Sequence, residues 1–122
     1  NAGLRTAILS GGFTYFTERL RIELGFDFAT SNELEISGGK LTGRVVGDIV
    51  DAAAKAHHLV RLTDELGLRK EQVIACGDGA NDLLMMVQAG LSVAFHAKPA
   101  TRAKADVAIN FGGLDSLLNL FD

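Results

Sequence analysis

The strongest chemical signal in the sequence is a six-residue stretch at residues 77–82, Gly-Asp-Gly-Ala-Asn-Asp, which directly follows an apolar run. Asp78 and Asp82 lie four residues apart, and carboxylate oxygens are the hard ligands that Mg²⁺ prefers. The glycines allow a sharp turn that exposes backbone amides to an anion, and Asn81 adds a neutral amide that could contact a phosphate. The stretch therefore predicts a loop that handles a metal ion and a phosphate group. The alternative is a glycine turn in which these side chains only cap a helix.

Two further positions could contribute to the same chemistry. Ser10 ends an apolar run and is followed by Gly11 and Gly12, so a hydroxyl and open backbone amides could surround the oxygens of a phosphoryl group. The alternative for Ser10 is capping of a helix that begins near Phe13. Lys55 lies early on a predicted helix among alanines, which leave room for another layer to approach, so its amine could reach the phosphate as a point charge. A lone lysine is usually solvated, which is the alternative here.

The elements that must position these residues alternate between strands and helices. Hydrophobic periodicity predicts strands at residues 4–10, 72–76, 91–95 and 107–109, a hairpin within residues 29–46 that turns at Ser-Gly-Gly-Lys, and helices at residues 13–24, 48–66, 82–89, 100–105 and 114–120. Such alternation favours an α/β fold with a parallel sheet and helices on both faces. Chemistry in such sheets gathers in the loops beyond the carboxyl ends of the strands, and here those loops begin at Ser10, Gly77 and His96.

Composition excludes several classes of protein. With 48% hydrophobic and 22% charged residues, the 122 residues are typical of one globular domain and not of a disordered chain. The net charge of -3 and the spread of Lys and Arg give no basic stripe for a nucleic-acid partner. The longest apolar runs have the length of a strand, which predicts no membrane partner. A single cysteine, Cys76, excludes an internal disulfide, and we expect a cytoplasmic location.

The remaining reactive side chains have structural interpretations. Cys76 is expected to be a buried thiol at the end of a strand, because no histidine lies near it in the sequence to activate it. His57, His58 and His96 are not spaced as zinc ligands, and the first two are expected on the surface of their helix.

Together the motifs resemble those of a known family. Residues 77–82 closely resemble the fourth motif of the haloacid dehalogenase (HAD) superfamily, as found in its phosphoserine phosphatases. Ser-Gly-Gly-Phe at residues 10–13 is similar to the second motif, and Lys55 stands where the motif lysine is expected. His-Ala-Lys-Pro at residues 96–99 resembles the loop that these phosphatases carry after the next strand, and Gly-Lys-Leu-Thr-Gly at residues 39–43 resembles their hairpin.

The resemblance implies a HAD-type, Rossmann-like three-layer core with a mainly parallel sheet and a small β-hairpin. It also implies a Mg²⁺-dependent hydrolysis of phosphoserine to L-serine and phosphate, the last step of serine biosynthesis, through an aspartyl phosphate. The resemblance implies that the catalytic residues are Lys55, Asp78 and Asp82 and that Asp78 and Asp82 bind the metal. It implies that the phosphate-binding residues are Ser10, Gly11, Lys55 and Asn81. Asp78 would be a direct ligand, and Asp82 would orient a metal-bound water.

The family's nucleophile and its general acid and base lie in an Asp-x-Asp motif near the N-terminus. No Asp-x-Asp occurs in the sequence, and the nearest pair, Asp48 and Asp51, has the wrong spacing. The first three residues resemble the end of a helix that leads directly into a strand. We therefore expect residues 1–122 to be the C-terminal part of a single HAD-like hydrolase domain. That part would lack the central first strand and the cap, would pair with an N-terminal half that carries the nucleophile, and would be inactive alone.

Three alternatives stay open. A HAD phosphatase for another small phosphomonoester would share these motifs, because the cap that sets selectivity is not in the sequence. A non-catalytic HAD-like domain that binds metal or a protein partner would suit the absent nucleophile, although it has no need to keep the whole set of motif residues. A receiver domain of the response-regulator type would also place an aspartate after an apolar strand, as Asp78 is placed, but residues 77–82 speak against it.

Overall fold

The structure is a computed structural model that describes residues 3–47 and 49–113. The chain divides into two compact units, Asn1–Ala54 and Lys55–Asp122, which we call unit 1 and unit 2 and describe separately. Within the described residues, no helix is long and apolar enough to cross a membrane. The predicted helix at residues 114–120 lies outside the described residues.

Unit 1 is built on a three-stranded sheet in the order β1-β2-β3. Its elements are β1 (Ala7–Phe13), α1 (Thr14–Leu24), β2 (Phe28–Ser37) and β3 (Lys40–Val46). β1 pairs with β2 in parallel, and the crossover helix α1 ends at Gly25, whose φ of 70° allows the left-handed turn that stops the helix. β2 and β3 form the predicted antiparallel hairpin.

The hairpin turn follows from two glycines. Ser37 pairs with Lys40, so that only Gly38 and Gly39 connect the strands, with φ values of 59° and 78°. A two-residue turn with both central residues at positive φ matches the right-handed twist of the strands and requires glycine or a similar residue.

Unit 2 carries a second three-stranded sheet in the order β4-β5-β6, with both pairings parallel. Its strands are β4 (Ile74–Gly77), β5 (Leu91–Phe95) and β6 (Val107–Ile109), and its helices are α2 (Ala52–Glu65), α3 (Leu83–Met86) and α4 (Pro99–Lys104). The boundary between the two units falls inside α2. Short 3-10 turns at Lys70–Gln72 and Ala80–Asp82 precede β4 and α3. The central strand β5 is the most buried, with Val93 and Ala94 fully covered.

The predicted fold class is confirmed, since the structure is an α/β fold whose described strand pairings are parallel except for the hairpin. The strands at residues 91–95 and 107–109 are confirmed to the residue. The bounds of β1 were wrong, because the strand begins at Ala7 and continues through the glycines that we expected to end it. Its register with β2 is interrupted between Leu9 and Phe13, where those glycines lie.

The start of the long helix was also wrong. α2 begins at Ala52, four residues later than predicted, and the Asp51 carboxylate accepts a hydrogen bond from the backbone N–H of Ala54 at 2.9 Å. This is N-capping, which marks the start of a helix more strongly than apolar periodicity does. The helix predicted at residues 82–89 is shorter, at Leu83–Met86, since the chain enters it through the 3-10 turn.

Candidate active site

The loop at residues 77–82 begins at the carboxyl end of β4 and is closed by an unusually near approach between its two ends. A Cβ atom on Gly77 would lie 2.8 Å from Cγ of Asp82, closer than real Cβ contacts come. A glycine at position 77 is therefore required for the Asp82 side chain to fold back under the loop. The backbone N–H of Asp82 also donates to the Gly79 carbonyl at 3.0 Å, which completes the 3-10 turn.

Asp82 is the centre of this loop. It is 7% exposed, and its Oδ1 accepts a hydrogen bond from Lys55 Nζ at 2.8 Å. Its Oδ2 accepts the backbone N–H groups of Asp78 and Gly79 at 3.2 and 3.3 Å. Both carboxylate oxygens are thus engaged, and the side chain holds the loop against α2 instead of facing solvent. The Asp82 side chain closes the 3-10 turn by accepting the Gly79 N–H, but it makes no capping hydrogen bond to α3, so helix capping does not account for it.

Lys55 is buried as well, with 6% of its surface exposed. The interpretation of Lys55 as a solvated lysine was wrong. Burying two charges requires that they be paired and hydrogen-bonded, and the Lys55–Asp82 contact satisfies that requirement. An ammonium group has three donor hydrogens, and the contact with Asp82 uses one of them. The pair holds the Lys55 ammonium group at a fixed position beside the loop.

Asp78 and Asn81 lie on the exposed side of the same loop. Within the described residues, the Asp78 carboxylate accepts no hydrogen bond, while its backbone carbonyl accepts a long one from the Lys98 N–H at 3.4 Å. The side chain of Asn81 lies close to Gly79: a Cβ atom built on Gly79 would be 2.7 Å from Asn81 Oδ1. The loop therefore presents one carboxylate and one amide outward, above a carboxylate that is already satisfied.

The loop after β5 is the third of those predicted to carry chemistry, and it contains a residue with unusual backbone geometry. His96 has φ 46°, the one positive φ among the described non-glycine residues. Its ring stacks on Phe95 with centroids 4.3 Å apart, and its Nε2 lies 2.7 Å from the Gly112 carbonyl. These contacts hold a conformation that is sparsely populated by residues with a side chain. No feature of the sequence indicated this strain.

Ser10 and Gly11 belong to unit 1, at the interruption of β1. Ser10 Oγ accepts the backbone N–H of Gly12 at 2.9 Å. The N-cap of α1 is Phe13, without a side-chain hydrogen bond, so the alternative in which Ser10 caps this helix was wrong. The break in register leaves residues 10–12 outside the described ladder pairs, and the Gly11 carbonyl is bound instead by the Asn32 side chain at 2.9 Å.

The structure brings together the site residues of unit 2, which are Lys55, Asp78, Asn81 and Asp82. The unit 1 residues Ser10 and Gly11 form a second group, around the interruption of β1. Sequence reasoning missed Asn32, whose buried amide contacts the Gly11 carbonyl. The available signal was an asparagine in the middle of a predicted strand, a position where this residue is depleted.

Two groups near these loops have pKa values that differ from their ordinary ones. Burial raises the pKa of the Cys76 thiol, which lies one residue before Gly77. The backbone N–H and the hydroxyl of Ser92 lower the pKa of Asp106, with which they share hydrogen bonds between 2.9 and 3.1 Å. The first shift favours the protonated thiol, and the hydrogen bonds between Asp106 and Ser92 tie the start of β6 to β5.

Whether these residues suit a metal ion can be judged from the state of their oxygens. The described residues contain no group of three His, Cys, Asp or Glu side chains that could hold a metal. Asp78 fits a magnesium ligand, because its carboxylate is exposed and takes no hydrogen bond from the described residues. Asp82 does not fit a direct metal ligand, since both of its oxygens accept hydrogen bonds from Lys55 and from backbone N–H groups. A complete magnesium site needs further oxygen ligands.

Comparison with known proteins supports the interpretation of these motifs. Residues 1–87 match the family model described as haloacid dehalogenase-like hydrolase. A phosphoserine phosphatase from a Polaromonas species is 56% identical over 124 residues, which cover 98% of this chain and 52% of the relative. The chain thus spans about half the length of that curated relative.

Solved structures show the same relationship. A probable phosphoserine phosphatase from Vibrio cholerae matches with a TM-score of 0.92 and 50% identity, over 95% of this chain and 36% of that one. A structure described as a phospho-aspartyl intermediate analogue of phosphoserine phosphatase matches with a TM-score of 0.87 and 39% identity, over 93% of this chain and 55% of that one. On the family model, the relatives and the shared fold, the chain belongs to the haloacid dehalogenase-like hydrolases.

Proposed function

We propose that the protein containing this chain is a phosphoserine phosphatase, which hydrolyses O-phospho-L-serine to L-serine and phosphate in a Mg²⁺-dependent reaction. The observation that carries the proposal is the loop at residues 77–82, in which an exposed carboxylate, Asp78, stands above the buried Lys55–Asp82 pair. Relatives that are about half identical over nearly the whole chain are described as phosphoserine phosphatases, which supports the choice of substrate. The enzyme would act in the cytoplasm, in the last step of serine biosynthesis.

The donors of this chain would hold the phosphoryl group. In the proposal Ser10, the Gly11 amide and Asn81 donate to its equatorial oxygens, and Lys55 balances their negative charge. Charge spreads over those oxygens in the transition state, so donors that are already in place lower the barrier without reorganising. Two observations support these roles: among the described residues Lys55 Nζ donates to Asp82 alone, and Ser10 Oγ accepts a hydrogen bond but donates none.

Asp78 would hold Mg²⁺ together with ligands from elsewhere in the protein, and Asp82 would orient a water on it. When bound, the ion supplies electrostatic stabilisation of the phosphoryl oxygens. The part of the chain that the structure describes offers too few ligands to hold the ion by itself.

The nucleophile would come from an Asp-x-Asp motif in an N-terminal half. The first aspartate attacks phosphorus and forms an aspartyl phosphate as the serine oxygen leaves, and the second gives that oxygen its proton. The second aspartate then activates a water, which attacks the aspartyl phosphate and releases phosphate. A related structure is described as a phospho-aspartyl intermediate analogue, which supports this course. In this proposal residues 1–122 are the C-terminal part of a single HAD-like domain whose central strand and cap lie in the other half.

The proposal is tested with the complete protein, by measuring phosphate release from phosphoserine with Mg²⁺ and after chelation by EDTA. We expect turnover that EDTA abolishes and Mg²⁺ restores. Asp78→Asn should lower kcat/KM by about 10³-fold, since a metal ion supplies several kcal/mol of charge stabilisation. Residues 1–122 alone should release no phosphate.

Selectivity is tested with the same assay on phosphothreonine and on small sugar phosphates. A preference for one of these over phosphoserine would contradict the proposed substrate and favour another phosphatase of the family. Unchanged turnover in Asp78→Asn would contradict the proposed site.

A further inference from the structure

Asn32 lies at the centre of a hydrogen-bond arrangement in unit 1 that the proposed function does not yet use. The residue is on β2 and is 7% exposed. Its Nδ2 donates to the Gly11 carbonyl at 2.9 Å, and its Oδ1 accepts the backbone N–H of Val50 at 2.7 Å. The side chain thus joins the interruption of β1 to the segment that precedes α2, across sequence separations of 21 and 18 residues.

The peptide group between Gly11 and Gly12 is held at both of its polar atoms. Asn32 binds its carbonyl oxygen, and Ser10 Oγ accepts its N–H at 2.9 Å. Because a peptide group is planar, two such contacts fix the orientation of the whole unit. A serine hydroxyl has one donor hydrogen, and accepting the Gly12 N–H leaves that hydrogen for another acceptor. Within the described residues, Ser10 Oγ donates to no partner.

The other end of the Asn32 amide is equally well fixed. Val50 is 5% exposed and its N–H is bound by Asn32, and the next residue, Asp51, caps α2. A buried amide must have both its donor and its acceptor satisfied, or it destabilises the fold. Of the common side chains of this size, asparagine alone offers a donor and an acceptor that diverge in this way.

We propose that Asn32 is a positioning residue, which aims the Ser10 hydroxyl at the phosphoryl group by fixing the Gly11–Gly12 peptide, whose N–H that hydroxyl accepts. The inference rests on the proposed function and deepens it, because it assigns the geometry of the phosphate-binding residues to a side chain that does not touch the substrate. Loss of the Asn32 donor would free the peptide to rotate, so that Ser10 would no longer present its hydrogen in one direction.

The test compares Asn32→Asp with the unaltered complete protein. At about pH 8 the aspartate is ionised, cannot donate to the Gly11 carbonyl and repels it. We expect kcat/KM to fall by about a hundredfold, mainly through kcat, because misplaced groups lose transition-state contacts. At about pH 5 the carboxyl group is partly protonated and can again donate to the Gly11 carbonyl. The ratio of variant activity to that of the unaltered protein should therefore be higher at about pH 5 than at about pH 8.

Two further variants separate positioning from stability. Thr17→Val removes another buried hydroxyl of unit 1, which bonds Ser31 and the Phe13 carbonyl, and should lower the melting temperature while keeping kcat. In a double-mutant cycle, Asn32→Asp should lower kcat/KM only slightly when Ser10 is already alanine, because both changes disable the Ser10 hydroxyl. Should Asn32→Asp fail to fold by circular dichroism, Asn32→Ser takes its place, since its hydroxyl can pair with one of the two backbone groups.

The outcomes distinguish this inference from the proposed function. A folded Asn32→Asp protein with full kcat, or with effects that add to those of Ser10→Ala, would overturn the positioning role. If the unaltered protein hydrolyses p-nitrophenyl phosphate but not phosphoserine, the substrate proposal fails, and the Asn32 comparison is made with p-nitrophenyl phosphate. Hydrolysis of neither compound would overturn both.

Discussion

The two units of the chain differ in how many apolar side chains they bury. Among the described residues of unit 2, the buried apolar side chains are Leu59, Ala75, Met85, Met86, Ala89, Val93, Ala94 and Ile109, and the buried polar ones are Lys55, Asp82, Ser92 and Thr101. In unit 1 the buried side chains among the described residues are Thr17, Asn32 and Val50, two of which are polar. Large apolar side chains of α1 are instead exposed, for example Phe16 at 64% and Ile22 at 68%. Unit 2 thus combines an apolar core with the buried Lys55–Asp82 pair, whereas unit 1 holds the segment around Ser10 and Gly11 through hydrogen bonds.

The difference bears on how each unit can tolerate change. A site supported by an apolar core loses stability when the core is opened, since cavities are costly. A site supported by a few directed hydrogen bonds loses geometry first, since each bond contributes little net stability but fixes an orientation.

The largest effect is expected from the buried ion pair of unit 2. Lys55→Met or Asp82→Leu alone leaves a buried charge without its partner, which costs about 3–5 kcal/mol of unfolding free energy. The double variant Lys55→Met with Asp82→Leu removes both charges and should be more stable than either single variant, although inactive. Urea unfolding of the complete protein measures all three. Single variants as stable as the parent would contradict the tight pairing at 2.8 Å.

A smaller effect is expected from the core itself. Val93 is fully buried on β5, and Val93→Ala should cost about 2 kcal/mol through lost burial and the cavity left behind. The matched change in unit 1, Ile22→Ala on α1, should alter stability by less than about 0.5 kcal/mol, because the side chain is 68% exposed. Equal losses in the two variants would break the comparison, and would mean that another part of the complete protein covers α1.

A modest dependence on pH is expected in both units. Hydrogen bonds from Thr6 and Ser92 lower the pKa values of Asp27 and Asp106, respectively. Each carboxylate therefore adds stability above the ordinary pKa of aspartate, about 3.9, and that stability is lost as the pH falls through the lower pKa of the folded state. Melting temperatures recorded from neutral pH down to acid should fall less steeply in Asp27→Asn and Asp106→Asn than in the parent. A parallel fall would contradict the shifts.

The smallest effect concerns reactivity and not stability. Burial raises the pKa of the Cys76 thiol, so little thiolate exists at neutral pH. Iodoacetamide should modify Cys76 slowly in the folded protein and rapidly in urea, as followed by intact mass. Fast modification of Cys76 in the folded protein would contradict the burial of its thiol. It would also indicate a reactive cysteine, which the proposed mechanism does not include.

Much of the fold and part of the site could be predicted from the sequence, because their signals are local. Residues 77–82 combine a strand end, two glycines and two carboxylates in one stretch, and β5 and β6 are short apolar runs between turn residues. The course of β1 through its glycines could not be predicted, since pairing with β2 overrides the tendency of glycine to end a strand. The contacts of Asn32 join residues far apart in the chain, and no local pattern contains them.

Gly77 has a consequence for the genetic variation that this protein can tolerate. A side chain at position 77 would overlap Asp82, and Asp82 in turn binds Lys55 and two backbone N–H groups. A missense change at this one codon would therefore act as several changes at once, since it would displace the carboxylate from all three partners. Alleles that alter Gly77 should therefore abolish function. Gly38 and Gly39 form an open turn in which an added Cβ would meet no atom within 4 Å, so the effect of a substitution there should be limited to the local strain of a positive φ.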